Sequence, residues 1–598
     1  METRSRESVS INPRNLLELY LAGRHDEIAA EFVRVLLFLD GFSYTDLTPA
    51  DRAALNLVVE HLLFFLTKPD FKLDDRSAEN LIRLNPVISN VVAISSFRNT
   101  DAQLEIMRNQ SSNLLRILPL LSVRNSARFD YAEMFRVHPV MTSLWYTMYF
   151  QGAEAPLTAL ILDNLKRHLA HLDPRLTYIG PELTFAYSFS TYIDIDADRL
   201  LKQGLNAMMR KVLENVQVKN RPHAGAARRR IAVITARWTP TSAVYKSMYS
   251  MVAALRETYD LTLVELIESR HTTDRELFDQ VLLARINNGK LECAPLLDND
   301  FDMVFYPDLG MQMEERHLSN LRLAPVQVMG LGHPVSSWGS EVDYFISGRD
   351  VEVPKHAEDN YSERLVLIPH AGVAPTWPAY TRQDRRAENG AFIVNCSWSA
   401  AKCHYPHLLL LTRILQASQR KFRFRIFAGL GLHRHNACIP FVQEIVSVLG
   451  VENVEVVSEM PFPGYMAKLE EGEFGIDSYP FGGYNTVIDS LHVGLPLVTL
   501  EGGKFYNRIA SVVLRLAGLK ELITTDAEDY VELVLRLIHD DRYRKGLQKK
   551  VAKLDIARLL SQPDAPRDFV RAIDYLIANH QRLQAETKAG KRAPIVIK

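Results

Sequence analysis

From Arg230 onward one pattern recurs: a short, wholly apolar run, a helix-length amphipathic spacer, and another apolar run. RIAVITA, LTLVELI, FDMVFYPD, PVQVMGLGHP, VDYFISG and RLVLIPH form a first series, with a helical stretch expected from Thr273. Strands apolar on both faces and joined by helix-length connections belong in parallel sheets covered on each side by crossover helices. A second series, AFIVNCS, FRFRIFAGL, VEVV, FGIDSYP and PLVTLEG, begins at Ala391 after the Pro- and charge-rich bridge APTWPAYTRQDRRAENG. The implied architecture is two Rossmann-like domains. Open sheets of this kind bind ligands beyond the carboxyl ends of their strands, so the two domains are expected to face a cleft.

The first part of the chain follows a different grammar. In NLLELYLAGRHDEIAAEFVRVLLFLD and ALNLVVEHLLFFL the apolar positions recur at helical spacing between Asp, Pro and Ser breaks, with no fixed repeat period. An all-helical domain is therefore expected at 1–222, a first Rossmann-like domain at 228–388 and a second at 389–598. The linker VKNRPHAGAARRR, Val218 to Arg230, separates the two grammars.

Charge excludes some functions. Lys plus Arg total 70 against 71 Asp plus Glu, which leaves no cationic excess for nucleic acid or anionic membranes. The four cysteines have neither zinc-knuckle nor CxxC spacing. They read as reduced thiols. With a polar amino terminus and no long apolar run, the expectation is a cytoplasmic protein without a membrane span. Asp194-Ile195-Asp196 spells a metal-binding DxD triplet, but it stands just before a helical run and reads as N-terminal capping. No metal is implied.

The richest segment runs from Tyr479 to Ile523. After FGIDSYP, Gly482 and Gly483 lead through Tyr484 into Asn485 and Thr486, which are expected to cap a helix. Backbone N–H groups at a helix start attract anions, and a glycine pair admits a diphosphate close to the main chain. Two further features stand at strand ends, His333 in the turn Gly332-His333-Pro334 and Ser399 with Lys402 after AFIVNCS, and a third is Tyr465 in the helical segment EMPFPGYMAKLEE. Asp489 lies one helical turn beyond Asn485.

The FGGYNTVID run, with GLPLVT, EGGKFYNRIAS and AGLKELI behind it, resembles glycosyltransferase family 41. That family includes O-linked N-acetylglucosamine transferases and bacterial adhesin-modifying N-glucosyltransferases, and the resemblance is stronger to the adhesin-type branch because no tetratricopeptide array is visible. It spans about residues 228 to 555 and implies a GT-B fold and inverting transfer of a hexose from a UDP-sugar to asparagine of a protein. The donor is a co-substrate, and neither metal nor other cofactor is expected. Transfer to Ser or Thr and a noncatalytic nucleotide-binding scaffold are the alternatives. The implied acceptor is an adhesin or other surface protein before export.

The resemblance also assigns roles. Gly482, Gly483, Tyr484, Asn485 and Thr486 meet the donor diphosphate, Lys402 and Ser399 its phosphates, Tyr465 the uracil ring and Asp489 the ribose. His333 stands beside donor sugar and acceptor. In one place the chain departs from the family: histidines expected after the first Rossmann strand are absent from RWTPTSAVYKSMYS, Arg237 to Ser250, where Thr239 and Ser242 stand instead. A hydroxyl of ordinary pKa is no general base near neutral pH, so the expectation passes to His333.

Overall fold

The computed structural model describes residues 11–41, 47–177, 180, 182–222, 228–236, 238–266, 273–287, 290–373, 377–383, 385, 391–430 and 437–598. Parts of the expected linker and bridge, and Arg237, lie outside them. The chain divides into two compact units, one of Met1–Ala197, Trp398–Gln416 and Arg423–Pro461, the other of Asp198–Ser397, Ala417–Phe422 and Phe462–Lys598.

In the first unit the N-terminal segment is helical from Pro13–Leu21 to Glu182–Ile193 among the described residues. Local chemistry sets the starts: Thr48 closes a capping box with Asp51 before Pro49–Thr67, and Asn12, Asp74 and Asp130 each accept N–H groups of a first turn. Asp194 ion-pairs with Lys166 at 2.6 Å and accepts the Asp196 N–H at 2.9 Å, a local turn-forming role. The chain's later segments return here. His404 Nε2 lies 3.1 Å from the Ile193 carbonyl, the Tyr405 N–H donates to Pro156, and Arg124 pairs with Glu444 at 2.8 Å. Arg423–Leu430 and Val454–Ser458 pair in parallel within the same unit.

The second unit contains an eight-stranded, all-parallel sheet. Its order is Ile595–Val596, Arg364–Ile368, Tyr344–Gly348, Val326–Met329, Met303–Tyr306, Arg229–Thr235, Tyr259–Glu265, Gln280–Leu283. Ile231 to Thr235 are buried throughout, as central parallel strands require. The chain winds outward from Arg229–Thr235 on one side and then restarts on the other with Met303–Tyr306, which puts the topological switch beside the ends of these two strands. A second parallel ladder, Ile393–Cys396, Phe474–Ile476, Leu497–Leu500 and Ile523–Thr524, lies in the same unit. The α/β GT-B class with an all-α region ahead of Rossmann-like domains is thus realised.

Two expectations need correction. The stretch from Thr273 is not helical: Gln280–Leu283 is the sheet's edge strand, paired with Thr262 to Glu265. Its apolar spacing suits a helix, but the unpaired edge of Tyr259–Glu265 offers ladder hydrogen bonds that a helix would leave unused. The C-terminal segment does not stay with the second series either. Ala565–Lys588 packs on the first sheet, with Phe569 edge-on to Phe305 at 5.3 Å and Glu586 paired with Arg364 at 3.0 Å, and Ile595–Val596 then joins that sheet. Its buried stripe, Phe569, Ala572, Ile573 and Leu576, is helical in spacing and carries no mark of which sheet it will cover.

Gly348 ends a central strand where a Cβ would overlap the Ala371 carbonyl of the following loop. Gly348→Ala should therefore destabilise by about 2 kcal/mol or more, as overpacking against backbone does, and lower the melting temperature by several degrees. An unchanged calorimetric melt would show that the loop yields freely.

Candidate active site

The end of Phe474–Ile476 is organised by one carboxylate. Asp477 is buried; it accepts the Gly483 N–H at 2.8 Å and the Thr499 hydroxyl at 3.1 Å, while the Gly482 N–H donates to the Tyr506 carbonyl at 2.8 Å. Both glycines are sterically required. A Cβ on Gly482 would lie 2.8 Å from Asp477 Oδ2, and one on Gly483 would overlap the Thr486 hydroxyl.

This changes the expected roles in detail. The glycine N–H groups are engaged within the chain, and the helix Asn485–His492 has no side-chain cap: Asn485 and Thr486 are its first two residues and Tyr484 occupies the capping position. Because Asp477 bends the chain at Gly483, the helix starts a residue earlier than a cap at Asn485 would allow. Among the described residues the N–H groups of Tyr484, Asn485 and Thr486 meet no acceptor. They are the donors that this helix start presents.

One turn on, Asp489 is 8% exposed. Burial pushes its carboxyl up to about 7, against the opposing pull of the Lys246 ammonium and the Tyr465 hydroxyl that faces it. Tyr465 lies in Phe462–Glu470, half-buried. The site thus gathers Tyr484 to Thr486, Asp489 and Tyr465 around one helix start.

The Val326–Met329 strand leads through Leu331 to the turn holding His333. Gly332 must be glycine, since a Cβ would stand 2.6 Å from the Pro307 carbonyl oxygen and 2.9 Å from Val244. His333 is buried, its ring parallel to Phe481 at 6.3 Å; Phe481 in turn stacks on Tyr506 at 5.0 Å. The turn therefore faces the glycine segment of the second ladder. At the switch point the buried acids Asp308 and Glu315 stand together, both pKa values raised by burial and, for Glu315, also by the Asp308 charge. Such a pair retains a proton more readily than isolated carboxyls.

Ser242 is used as a helix cap, its hydroxyl accepting the Tyr245 N–H at 3.1 Å, and the Thr239 hydroxyl lies 3.3 Å from that of Thr241. Ser399 is exposed and its carbonyl accepts the Lys402 N–H at 2.9 Å; half-buried Lys402 ends the short helix Ala400–Lys402 in the first unit. Asp477, Phe481 and Tyr506 were not singled out from sequence. The acid ending a strand just before a glycine pair was the available signal; the two rings sit among ordinary core aromatics and carried none.

Among the described residues no cluster of His, Cys, Asp or Glu could hold a metal ion, and no helix is long and apolar enough to cross a membrane.

Comparison with known proteins places this geometry in a family context. Residues 472–563 match Glycosyl transferase family 41, a span that includes the Asp477 loop and the Asn485–His492 helix. The chain is 22% identical over 543 residues, 83% of its length and 86% of the relative's, to a UDP-glucose:protein N-beta-glucosyltransferase of Actinobacillus pleuropneumoniae serotype 5b (strain L20). It is 24% identical over 256 residues, 39% of its length and 26% of the relative's, to a probable UDP-N-acetylglucosamine--peptide N-acetylglucosaminyltransferase SPINDLY of Petunia hybrida. A solved O-GlcNAc transferase of Thermobaculum terrenum shares the fold, with TM-score 0.54 and 18% identity over 99% of this chain and 100% of that one.

Asp489 supplies a pH signature. Its folded pKa lies above the unfolded value, so the stability it contributes is full below about pH 4 and is lost as pH rises through about 7. Asp489→Asn should gain on the parent chain between pH 5 and 8 by on the order of 2–4 kcal/mol. Urea melts that run parallel across this range would mean the carboxyl is not buried as described.

Proposed function

We propose, for a chain related to glycosyltransferase family 41 and built on the GT-B fold, that it transfers a hexose from a UDP-sugar to asparagine of a protein acceptor, with inversion and without a metal ion. The observation that carries this reading is the start of Asn485–His492, where the Tyr484, Asn485 and Thr486 N–H groups stand at a positive helix end, made approachable by Gly482 and Gly483 and followed by the buried Asp489. Named relatives that glycosylate proteins from UDP-sugars support the same chemistry.

In this mechanism the acceptor nitrogen attacks the anomeric carbon as the bond to the UDP oxygen breaks on the opposite face, and the acceptor's proton is lost. Negative charge grows on the leaving diphosphate. Lys402 and the helix-start N–H groups offset it, a task for fixed donors that requires no divalent ion. Ser399 contributes a hydroxyl to the phosphates, Tyr465 stacks on uracil, and Asp489 accepts from the ribose hydroxyls. With Ser242 committed to capping, His333 assists the acceptor. The enzyme works without a further cofactor, in the cytoplasm, on a surface protein such as an adhesin before its export.

UDP should bind with unchanged calorimetric affinity in excess EDTA; loss of binding would remove the metal-independent site. Lys402→Ala should lower turnover by about 10² to 10³, the effect of losing one charge-stabilising donor, and a near-normal rate would take Lys402 out of the mechanism. Intact-mass analysis of acceptor peptides containing Asn, Ser or Thr, each with a panel of UDP-sugars, decides the transferred sugar and the acceptor atom. UDP binding with no transfer to any of them would favour the noncatalytic scaffold.

A further inference from the structure

One side of the Ala197–Val212 helix is polar and buried, which is unusual for a helix that ends an amphipathic series. Asp198, Lys202, Asn206 and Arg210 follow one another at intervals of four and so form a single stripe. Each is bonded to the loop that follows the Val326–Met329 strand. The Trp338 indole N–H donates to Asp198 at 2.9 Å, and Lys202 Nζ donates to the Ser336 carbonyl at 3.1 Å. Asn206 Nδ2 donates to the Ser337 carbonyl at 2.8 Å and to that of Trp338 at 3.3 Å; Arg210 donates to the Gly339 carbonyl. Lys202 and Asn206 are wholly buried.

The stripe therefore reads four consecutive residues of main chain. From another direction Glu363 accepts the Ser336 hydroxyl at 2.7 Å and the Ser337 N–H at 2.9 Å. Within this grip Trp338 adopts φ +51°, a left-handed conformation that is costly for a bulky residue and persists only where surroundings over-determine it. Burying an ammonium and an amide against carbonyls adds little stability compared with apolar packing of the same volume. What it does add is one permitted position for the loop.

His333 lies on this same loop, joined to the clamped segment through the tight turn in which the Val335 N–H donates to the His333 carbonyl at 2.8 Å. We infer that the Asp198, Lys202, Asn206 and Arg210 stripe is a positioning element for the transfer reaction: it holds the Gly332 to Gly339 loop by its backbone and thereby sets where the His333 ring stands. The catalytic consequence rests on the reading of His333 as the group beside the acceptor; the structural one does not.

The full chain carrying ¹³C-labelled histidine tests both. Among 18 histidines, the His333 ring signal is identified by its loss in His333→Gln. Asn206→Ala should shift or broaden that signal while the others stay in place, and should lower kcat by about 10- to 100-fold, the scale of an ångström-sized misplacement, with the UDP Kd within about twofold of the parent, since Asn206 bonds the Ser337 and Trp338 carbonyls and Asn320 and not the Tyr484 to Thr486 helix start. Arg210→Ala, a half-buried and milder truncation, should do the same to a lesser degree, and Arg210→Lys, which can still reach the Gly339 carbonyl, should restore both readouts. An unmoved His333 signal in folded Asn206→Ala and Arg210→Ala overturns the positioning role. A displaced signal with unchanged kcat would keep the strut and remove its part in catalysis. If the parent chain transfers no sugar, the proposed function fails, and the His333 signal still decides whether the stripe positions the loop.

Discussion

A parallel strand apolar on both faces cannot stand at a surface, and that constraint organises the second unit. Ile231 to Thr235 leave no face for water, so the sheet must be covered on both sides, and the covering helices arrive from separate parts of the chain. The Ala243–Leu255 helix buries Met248, Met251, Val252 and Leu255 there, and Ala565–Lys588 returns from the far end of the sequence to do the same. Covering both faces leaves only the strand ends accessible. The groups with chemical potential gather there: His333, Asp308 and the Asp477 loop each follow a strand, and Glu315 meets Asp308 from the helix Met313–Leu318.

At those ends single buried polar groups do the shaping. Asp477 takes up the Gly483 N–H and the Thr499 hydroxyl and the Tyr506 carbonyl takes up the Gly482 N–H, so that among the described residues the next three N–H groups are the ones left without an acceptor. The glycines matter at this helix start less as donors than as residues without a Cβ. The loop carrying His333 is managed similarly, with main-chain carbonyls held by a helix and not by packing. In both places polar groups are buried at a cost and bonded to specific partners, so they specify geometry.

Asp489 shows the other side of that economy. Its carboxyl is raised to about 7 by burial, so its charged form is held at a cost that hydroxyl donors reduce. A group whose folded pKa is raised ties stability to pH, so this residue links the fold to its own protonation state.

Much was legible in one dimension because it depends on neighbours in sequence. The switch from helical to strand-and-spacer periodicity, the buried strands, and the resemblance to family 41 from Tyr479 to Ile523 all arise from local pattern, whereas the groups that crowd Gly332, Gly482 and Gly483, namely Pro307, Asp477 and Thr486, are supplied by the fold. What tertiary structure alone decided are matters of partner choice. Thr273 onward has helical spacing, yet an open sheet edge drew Gln280–Leu283 into a ladder. The stripe of Ala565–Lys588 records that one face is apolar but not which sheet it meets. Asn485 and Thr486 have the residue types of caps, but Asp477 claims the preceding N–H, and the carbonyl and indole partners of Asp198, Lys202, Asn206 and Arg210 come from a distant loop that the helix's own sequence does not name. Periodicity encodes how a segment is amphipathic; which group satisfies a buried donor or covers a given face is settled only when segments far apart in the chain meet.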